Sequence, residues 1–281
     1  MSNKIFFCLF ITIAFLFIPY PVPLCGTGGI PLHERKTEKS ETTAVKPWSF
    51  INTAINENSG ALEEKNNSLA LAEEEKMIER IHWLGHASFY INSPDNLIIY
   101  IDPYRIKDGY PQADIILITH DHYDHCSPAD IKKISKADTV IVGPKSISGK
   151  ISQNLKIINP GSKINVKGIS IEAVDSYNIN KGFHPRSAGN VGYIVTVDMM
   201  RIYHAGDTDL IPEMKNIKAD IVLLPVGGTY TMDAKEAAQA ASSIGATICI
   251  PMHFGSVVGS PQDAIEFQKL SKSQVTILKQ E

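Results

Sequence analysis

The run Ile115-Ile116-Leu117-Ile118, followed at once by Thr119-His120-Asp121-His122-Tyr123-Asp124-His125, constrains this chain more than any other feature. Consecutive β-prone apolar residues read as a buried strand. The polar cluster behind it then falls in the loop at the strand's end, where sites are usually built. His120 and His122 are two apart, so they face the same side of an extended stretch, and Asp124 and His125 follow where the chain must turn. Burying three imidazoles and two carboxylates unpaired would be costly. Neutral imidazole and carboxylate are the ligands that borderline metals such as zinc prefer.

The rest of the chain divides into three parts. Lys4 precedes an apolar run, Ile5 to Ile18, broken only by Thr12. That run is short of the roughly 20 residues a membrane span needs and matches a signal-peptide core. Pro19-Tyr20-Pro21-Val22-Pro23 then ends any helix. Residues 1–25 are therefore expected to be a signal peptide or N-terminal anchor, giving an exported or membrane-attached protein. Cys25 is a candidate lipidation site, although Leu24 before it is larger than the small residue such sites take. Residues 26–76 are rich in Lys, Glu, Ser, Thr and Asn, with too little apolar surface to offset ordering entropy, and read as a polar linker. A local helix is expected within 61–80. Residues 77–281 are then the folded domain.

At 281 residues, 43% hydrophobic and 20% charged, the composition suits one globular domain with additions. A net charge of −3 gives no reason to expect nucleic-acid binding. The cysteines Cys8, Cys25, Cys126 and Cys249 do not form a disulfide framework. Cys249 reads as a small buried hydrophobe, and Cys126 as a neighbour or weak auxiliary ligand of the His cluster.

Beyond residue 80 strands alternate with helices. Strands are expected at Ile81–Leu84, Ser88–Ile91, Leu97–Ile101, Ile115–Thr119, Thr139–Val142, Lys156–Ile158, Ile164–Val166, Ile169–Val174, Val191–Val197, Arg201–His204, Ile221–Val226, Thr247–Met252 and Val275–Leu278. Lys167-Gly168 and Asp198-Met199-Met200 read as hairpin turns. Helices are expected from Ser127-Pro128, near Ile147–Leu155, over Asp233–Ser243 with Asp233 and Glu236 as a capping pair, and over Pro261–Leu270. Such interleaving implies two sheets covered by helices.

His120-x-His122-x-Asp124-His125 resembles the HxHxDH signature of the metallo-β-lactamase superfamily. Trp83-Leu84-Gly85-His86-Ala87-Ser88-Phe89, Ile101-Asp102-Pro103, Tyr203-His204-Ala205-Gly206-Asp207-Thr208-Asp209 and Ile250-Pro251-Met252-His253-Phe254 follow in the order that superfamily shows. The match covers about residues 80–281. Its flavour resembles the small UlaG-like branch, which includes ascorbate-6-phosphate lactonase, and more distantly the N-acyl-phosphatidylethanolamine phospholipase D group.

The resemblance implies an α/β fold, a four-layer αββα sandwich with metals at one edge. It implies two divalent metal ions, with Zn2+ the first expectation and Mn2+ or Fe2+ bound by the same ligand types. His120, His122 and His184 would hold one. Asp124, His125 and His253 would hold the other, with Asp207 between them. Gly206 before Asp207 permits a close approach of the backbone. The resemblance implies a third histidine some way ahead of the bridging Asp207, a position His184 fits, and His204 is expected in the core or behind a ligand. Asp124 is the candidate catalytic residue, orienting the nucleophile or moving a proton. His86 could orient a ligand or touch substrate. Asp102 could accept from a ligating imidazole, Arg186 could grip an anionic group, and the loop Gly227–Met232, including Thr231, is expected to line the site.

The reaction class is thus metal-dependent hydrolysis of a lactone or phosphodiester. The helix N-terminus behind that loop suggests a small, anionic substrate. No G-x-S-x-G nucleophile motif occurs. The competing reading is an exported, non-catalytic metal-binding module on the same fold. Nothing in the sequence speaks to oligomeric state.

Overall fold

The computed structural model describes residues 68, 69 and 71–281. The signal peptide or anchor expected over 1–25, and nearly all of the polar linker, lie outside the described residues. A helix over 71–78 leads into the domain. Its Glu74 and Met77 are buried, so packed chain begins inside the segment read as linker, ahead of residue 77.

Two sheets follow in chain order. In the first, β1 (Ile81–Gly85), β2 (Ser88–Asn92) and β3 (Ile98–Ile101) pair antiparallel, and β4 (Ala113–Leu117), β5 (Ser135–Gly143) and β6 (Leu155–Ile157) continue in parallel, in the order 1-2-3-4-5-6. The second has β7 (Lys163–Val166), β8 (Ile169–Asp175), β9 (Val191–Val197) and β10 (Met200–His204) antiparallel. Its β11 (Ile221–Pro225), β12 (Ile248–Met252) and β13 (Gln274–Val275) are parallel, and the order is 13-12-11-10-9-8-7. Two hairpins close as anticipated. Lys167-Gly168 (φ 50° and 89°) and Asp198-Met199 (φ 50° and 64°) place both turn residues at positive φ, the backbone twist that suits two-residue hairpins.

Side-chain alternation builds the layers. Phe89 and Ile91 on β2, Ile99 and Ile101 on β3, and Ile115 and Leu117 on β4 join the main core with Tyr193 and Val195 of β9. The alternate residues Tyr90, Tyr100 and Ile116 face the other way. They form a second cluster with Ile131 and Ile134 of helix α1 (Pro128–Ile134). On the second sheet, helix α2 (Ala234–Ile244) packs on β11, and α3 (Pro261–Leu270) packs on β12 and β13. The result is the αββα sandwich the sequence implied. Each fully buried Ile or Phe contributes roughly 1.5–3 kcal/mol to holding these layers.

Helix starts follow their caps. Ser127 accepts from Asp130 N ahead of Pro128, and Asp233 and Glu236 make a reciprocal capping box. Gly245, left-handed at φ 72°, ends α2. Three expectations are corrected. The helix anticipated near Ile147–Leu155 is a 3-10 turn, Lys145–Gly149, and the chain then runs to β6 without helix. Ser146, Ser148, Gly149 and Ser152 are poor helix formers, and Asn154 at φ 53° breaks the direction. Strand β5 begins directly from α1 at Ser135, well before Thr139. The last strand is Gln274–Val275 and does not reach Leu278.

Candidate metal centre

Strand ends bring the candidate residues to one edge of the sandwich. β3 ends at Ile101 and delivers Asp102. β4 ends at Leu117 and delivers His120 to His125. β10 ends at His204 before Asp207, and β12 ends at Met252 before His253. Ligand crevices in open α/β sheets form at the carboxyl ends of parallel strands. The β1–β2 turn adds His86, and the loop between β8 and β9 adds His184.

Two groups result. In the first, His120 Nε2 and His184 Nε2 approach His122 Nδ1 at 3.1 and 3.0 Å. In the second, one atom each of His86, Asp124, His125 and His253 lies within 4.8 Å of the others. Asp207 stands between them. Its Oδ2 is 3.1 Å from His253 Nε2, 3.5 Å from His184 Nε2 and 4.0 Å from His120 Nε2, and its Oδ1 is 3.3 Å from His125 Nε2. Every residue of the centre except His122 is buried.

Comparison with known proteins shows the family of the chain. Residues 80–253 match the model of the beta-lactamase superfamily domain. The chain belongs to the metallo-β-lactamase superfamily. It is 34% identical over 211 residues to a UPF0173 metal-dependent hydrolase of Methanopyrus kandleri, covering 68% of this chain and 90% of that one. It is 36% identical over 206 residues to its counterpart in Thermoplasma volcanium, covering 68% and 91%. A crystal structure from Parabacteroides distasonis superposes with a TM-score of 0.65 at 36% identity, over 72% of this chain and 93% of that one. Igni18, a metallo hydrolase of Ignicoccus hospitalis, shares the fold with a TM-score of 0.60 at 23% identity. The chain is accordingly a metal-dependent hydrolase.

The residues of this hydrolase fit a cation. A neutral imidazole has one donor and one acceptor nitrogen, yet His122 Nδ1 faces two other imidazole nitrogens. His125 Nε2 and Asp207 Oδ1 are buried and face each other at 3.3 Å without making a hydrogen bond, a rare condition that calls for an explanation. A shared cation accounts for both.

The outer nitrogens fix the tautomers. Asp102 accepts from Thr119 N at 2.8 Å and from Thr119 Oγ1 at 2.6 Å. It also pairs with His125 Nδ1 at 2.8 Å, so Nδ1 keeps a proton and Nε2, turned toward the centre, is free once a cation displaces its own proton. Because Thr119 Oγ1 donates to Asp102, it accepts from His120 Nδ1 at 2.9 Å, which again frees Nε2. His184 Nδ1 faces the Tyr230 carbonyl and the Asn178 amide nitrogen, both at 3.3 Å; that amide donates to the Phe183 and Tyr230 carbonyls, so Nδ1 donates to Tyr230 with the same outcome. Such outer partners hold metal-binding imidazoles in place. His204 is buried and points Nε2 at the Ala87 carbonyl, 2.9 Å away, away from the two groups, as anticipated.

Protonation follows the same geometry. Burial lowers His120 well below the usual imidazole range, lowers His184, and brings His86 down to about 4. Burial opposes the charge on His125 too, but Asp207 and Asp102 outweigh it and hold that ring well above the usual range. Burial would raise Asp207, and the imidazoles of His125 and His253 keep it well below the ordinary carboxylate range. His86, Asp102, His184 and His253 sit at φ 52°, 48°, 55° and 59°. Left-handed backbone is uncommon for residues other than glycine and clusters at functional sites.

A cavity of about 230 Å³ opens onto the centre, lined by His122, Tyr123, Asp124, Phe183, His184, Asp207, Tyr230, His253 and Val257. Two expected lining residues are not there. Arg186 turns to Glu213, 2.8 Å away, and lies over the Tyr177 ring. Thr231 is fully buried, with its carbonyl taken by Lys181, and its neighbour Tyr230 lines the cavity instead. Cys126 is buried among the apolar residues beneath α1, and burial lifts its thiol to about 11. It belongs to the packing, not to the ligand groups. Sequence reasoning missed the wall residues Tyr123, Phe183 and Val257, whereas Tyr230 belongs to the loop expected to line the site. The available signal was adjacency, since Tyr123 lies between His122 and Asp124 and Phe183 precedes His184.

Proposed function

We propose that this hydrolase holds two divalent ions and cleaves a carboxylic ester, lactone or phosphodiester bond. His120, His122 and His184 would hold one ion. Asp124, His125 and His253 would hold the other, with Asp207 serving both. The observation that carries the reading is the position of Asp207, whose two oxygens face histidines of both groups. Imidazole with carboxylate suits Zn2+, and Mn2+ or Fe2+ take the same donors. Bound there, such ions supply a water of lowered pKa and polarise the attacked carbonyl or phosphoryl oxygen.

The chain's own residues do the rest. Burial would raise Asp124, but the 3.1 Å hydrogen bond from His86 Nε2 and the charge of His125 bring it below the ordinary carboxylate range. It is therefore ionised at neutral pH and lies at the cavity edge. There it orients the attacking water and accepts its proton. The Tyr123, Phe183, Tyr230 and Val257 walls restrict water around the reacting bond. The open cavity favours a catalyst over a metal-carrying module, since structural metal sites are closed by protein ligands. The apolar run Ile5 to Ile18 supports an exported or membrane-anchored enzyme.

The test is elemental analysis of the reconstituted 281-residue chain, with turnover of bis-p-nitrophenyl phosphate and γ-butyrolactone, wild type against His122→Ala. Two ions per chain and turnover lost in the variant support the proposal and name the bond. One ion per chain refutes the dinuclear assignment. No bound metal after reconstitution refutes the site.

A further inference from the structure

We propose that the substrate is a neutral carboxylic ester or lactone whose alkyl or aryl substituent lies between Phe183, Tyr123, Tyr230 and Val257, beside the reacting carbonyl. This rests on the hydrolytic reading above and specifies its substrate class.

The cavity has two chemically distinct parts. Its floor is His122, Asp124, His184, Asp207 and His253, and its walls are aromatic and aliphatic. Tyr123 is 63% exposed and Phe183 51% exposed. Large exposed apolar side chains grouped at the mouth of a polar site mark a surface that a ligand covers. The walls support one another. Phe183 meets Tyr230 edge to face at 4.9 Å, and Tyr123 meets Tyr104 in the same way at 6.0 Å. Such packing holds the rings apart in fixed orientation.

Among the described residues no Lys or Arg lines this cavity, and four cations on the loops around it are engaged elsewhere. Lys181 is paired with Asp209 and the Thr231 carbonyl, Arg186 with Glu213, and Lys150 with the Asp121 carbonyl. Arg105 lies over the Tyr104 ring and donates to Ser256. The N-terminus of α2, behind the cavity loop, is taken by its own Asp233 and Glu236. A substrate with an anionic tail would find no counter-charge in the walls, and would leave Phe183 and Tyr123 uncovered. A neutral acyl compound with an apolar tail satisfies both parts.

The reaction balances with water alone. The water oxygen bonds to the acyl carbon, and one of its protons passes to Asp124. The acyl C–O bond breaks, and Asp124 passes that proton to the leaving oxygen, which returns the carboxylate to its ionised form. A lactone gives one hydroxy acid, and an ester gives an acid and an alcohol.

The first readout needs no turnover. Acetohydroxamic, octanohydroxamic and succinomonohydroxamic acids would be titrated calorimetrically into the zinc-reconstituted 281-residue chain. Octanohydroxamate is expected to bind at least about tenfold tighter than acetohydroxamate, since each buried methylene favours transfer from water. Phe183→Ala is expected to shrink that ratio below about threefold, and Val257→Thr to shrink it partly, with zinc content checking that each variant retains its site. In kinetics, kcat/KM for γ-nonalactone should exceed that for γ-butyrolactone by a similar factor. Equal binding of the short and long compounds overturns the proposal. So does tighter binding of the carboxylate-bearing one, or higher kcat/KM for bis-p-nitrophenyl phosphate, while the hydrolytic reading stands. A chain that holds no zinc removes both.

Discussion

His86 is joined to the centre by more than its ring. Its carbonyl accepts from Trp83 Nε1 at 2.9 Å and from His253 N at 2.9 Å, so its left-handed backbone fixes the last strand-end ligand as well as Asp124. Burial brings its ring to about 4, against roughly 6.5 for an unfolded histidine. The sign follows from proton counting. Between pH 6.5 and 4 the unfolded chain binds a proton at this site that the folded chain refuses, so folding stability falls as pH falls through that window. The loss reaches on the order of 3 kcal/mol at the acid end. His86→Gln is expected to remove that part of the acid sensitivity, measured as urea midpoints of chelator-treated wild type and variant from pH 7 to 4. Parallel midpoint curves for the two proteins would refute the assignment. Asp102 differs in kind, since it holds Thr119 and His125 together from behind the ligands. Asp102→Asn should weaken metal binding by roughly 10–100-fold, read by competition with a chromogenic chelator, and unchanged affinity would reduce Asp102 to a packing role.

At the scale of elements, the site is a product of where strands stop. Gly227, after β11, passes so close to the β12 end that a Cβ there would overlap the His253 carbonyl oxygen. Gly227→Ala must therefore displace the backbone that carries His253. Expected are destabilisation of roughly 1–3 kcal/mol from overpacking and weaker metal retention, tested by thermal unfolding and metal analysis together. Full retention of both would show that the loop yields freely. Much of this level was legible in the sequence. The β4 apolar run, the Ser127-Pro128 and Asp233/Glu236 helix starts and the two hairpin turns each carry a local cause that the tertiary structure does not override. Ile147, Ile151 and Leu155 misled because their spacing copies a helix face, while the Ser, Gly and Asn residues between them favour turns. The cavity walls were legible only in part: the Gly227–Met232 loop was expected there and supplies Tyr230, but Phe183 and Val257 come from other loops that only the folded sandwich brings to it. Arg186 and Thr231 misled in the same way, since neighbours one or two residues apart in a loop point to different surroundings.

Across the whole molecule, the centre bridges the two sheets. His120, His122, Asp124 and His125 leave the first sheet after β4, whereas Asp207 and His253 leave the second after β10 and β12. Tyr193 of β9 reinforces the same edge, donating its buried hydroxyl to the Ile118 carbonyl at 2.7 Å. A cation held at this edge binds the assembled sheets and has no equivalent site in the unfolded chain, so its binding free energy adds to folding stability. At a free metal concentration about 100 times the dissociation constant the gain is about 2.7 kcal/mol. For a domain of this size that corresponds to a rise in Tm of roughly 5–10 °C. Chelation should lower the melting temperature by that amount, and restoring zinc should recover it. His122→Ala removes a ligand that is exposed at the cavity and contributes little packing, so it should shrink the metal-dependent shift while leaving the chelated Tm near that of wild type. A shift of the same size in both proteins would place the stabilising metal elsewhere. A chelated variant that melts far below chelated wild type would mean that the imidazoles hold the edge by packing alone, with no cation needed to join the sheets.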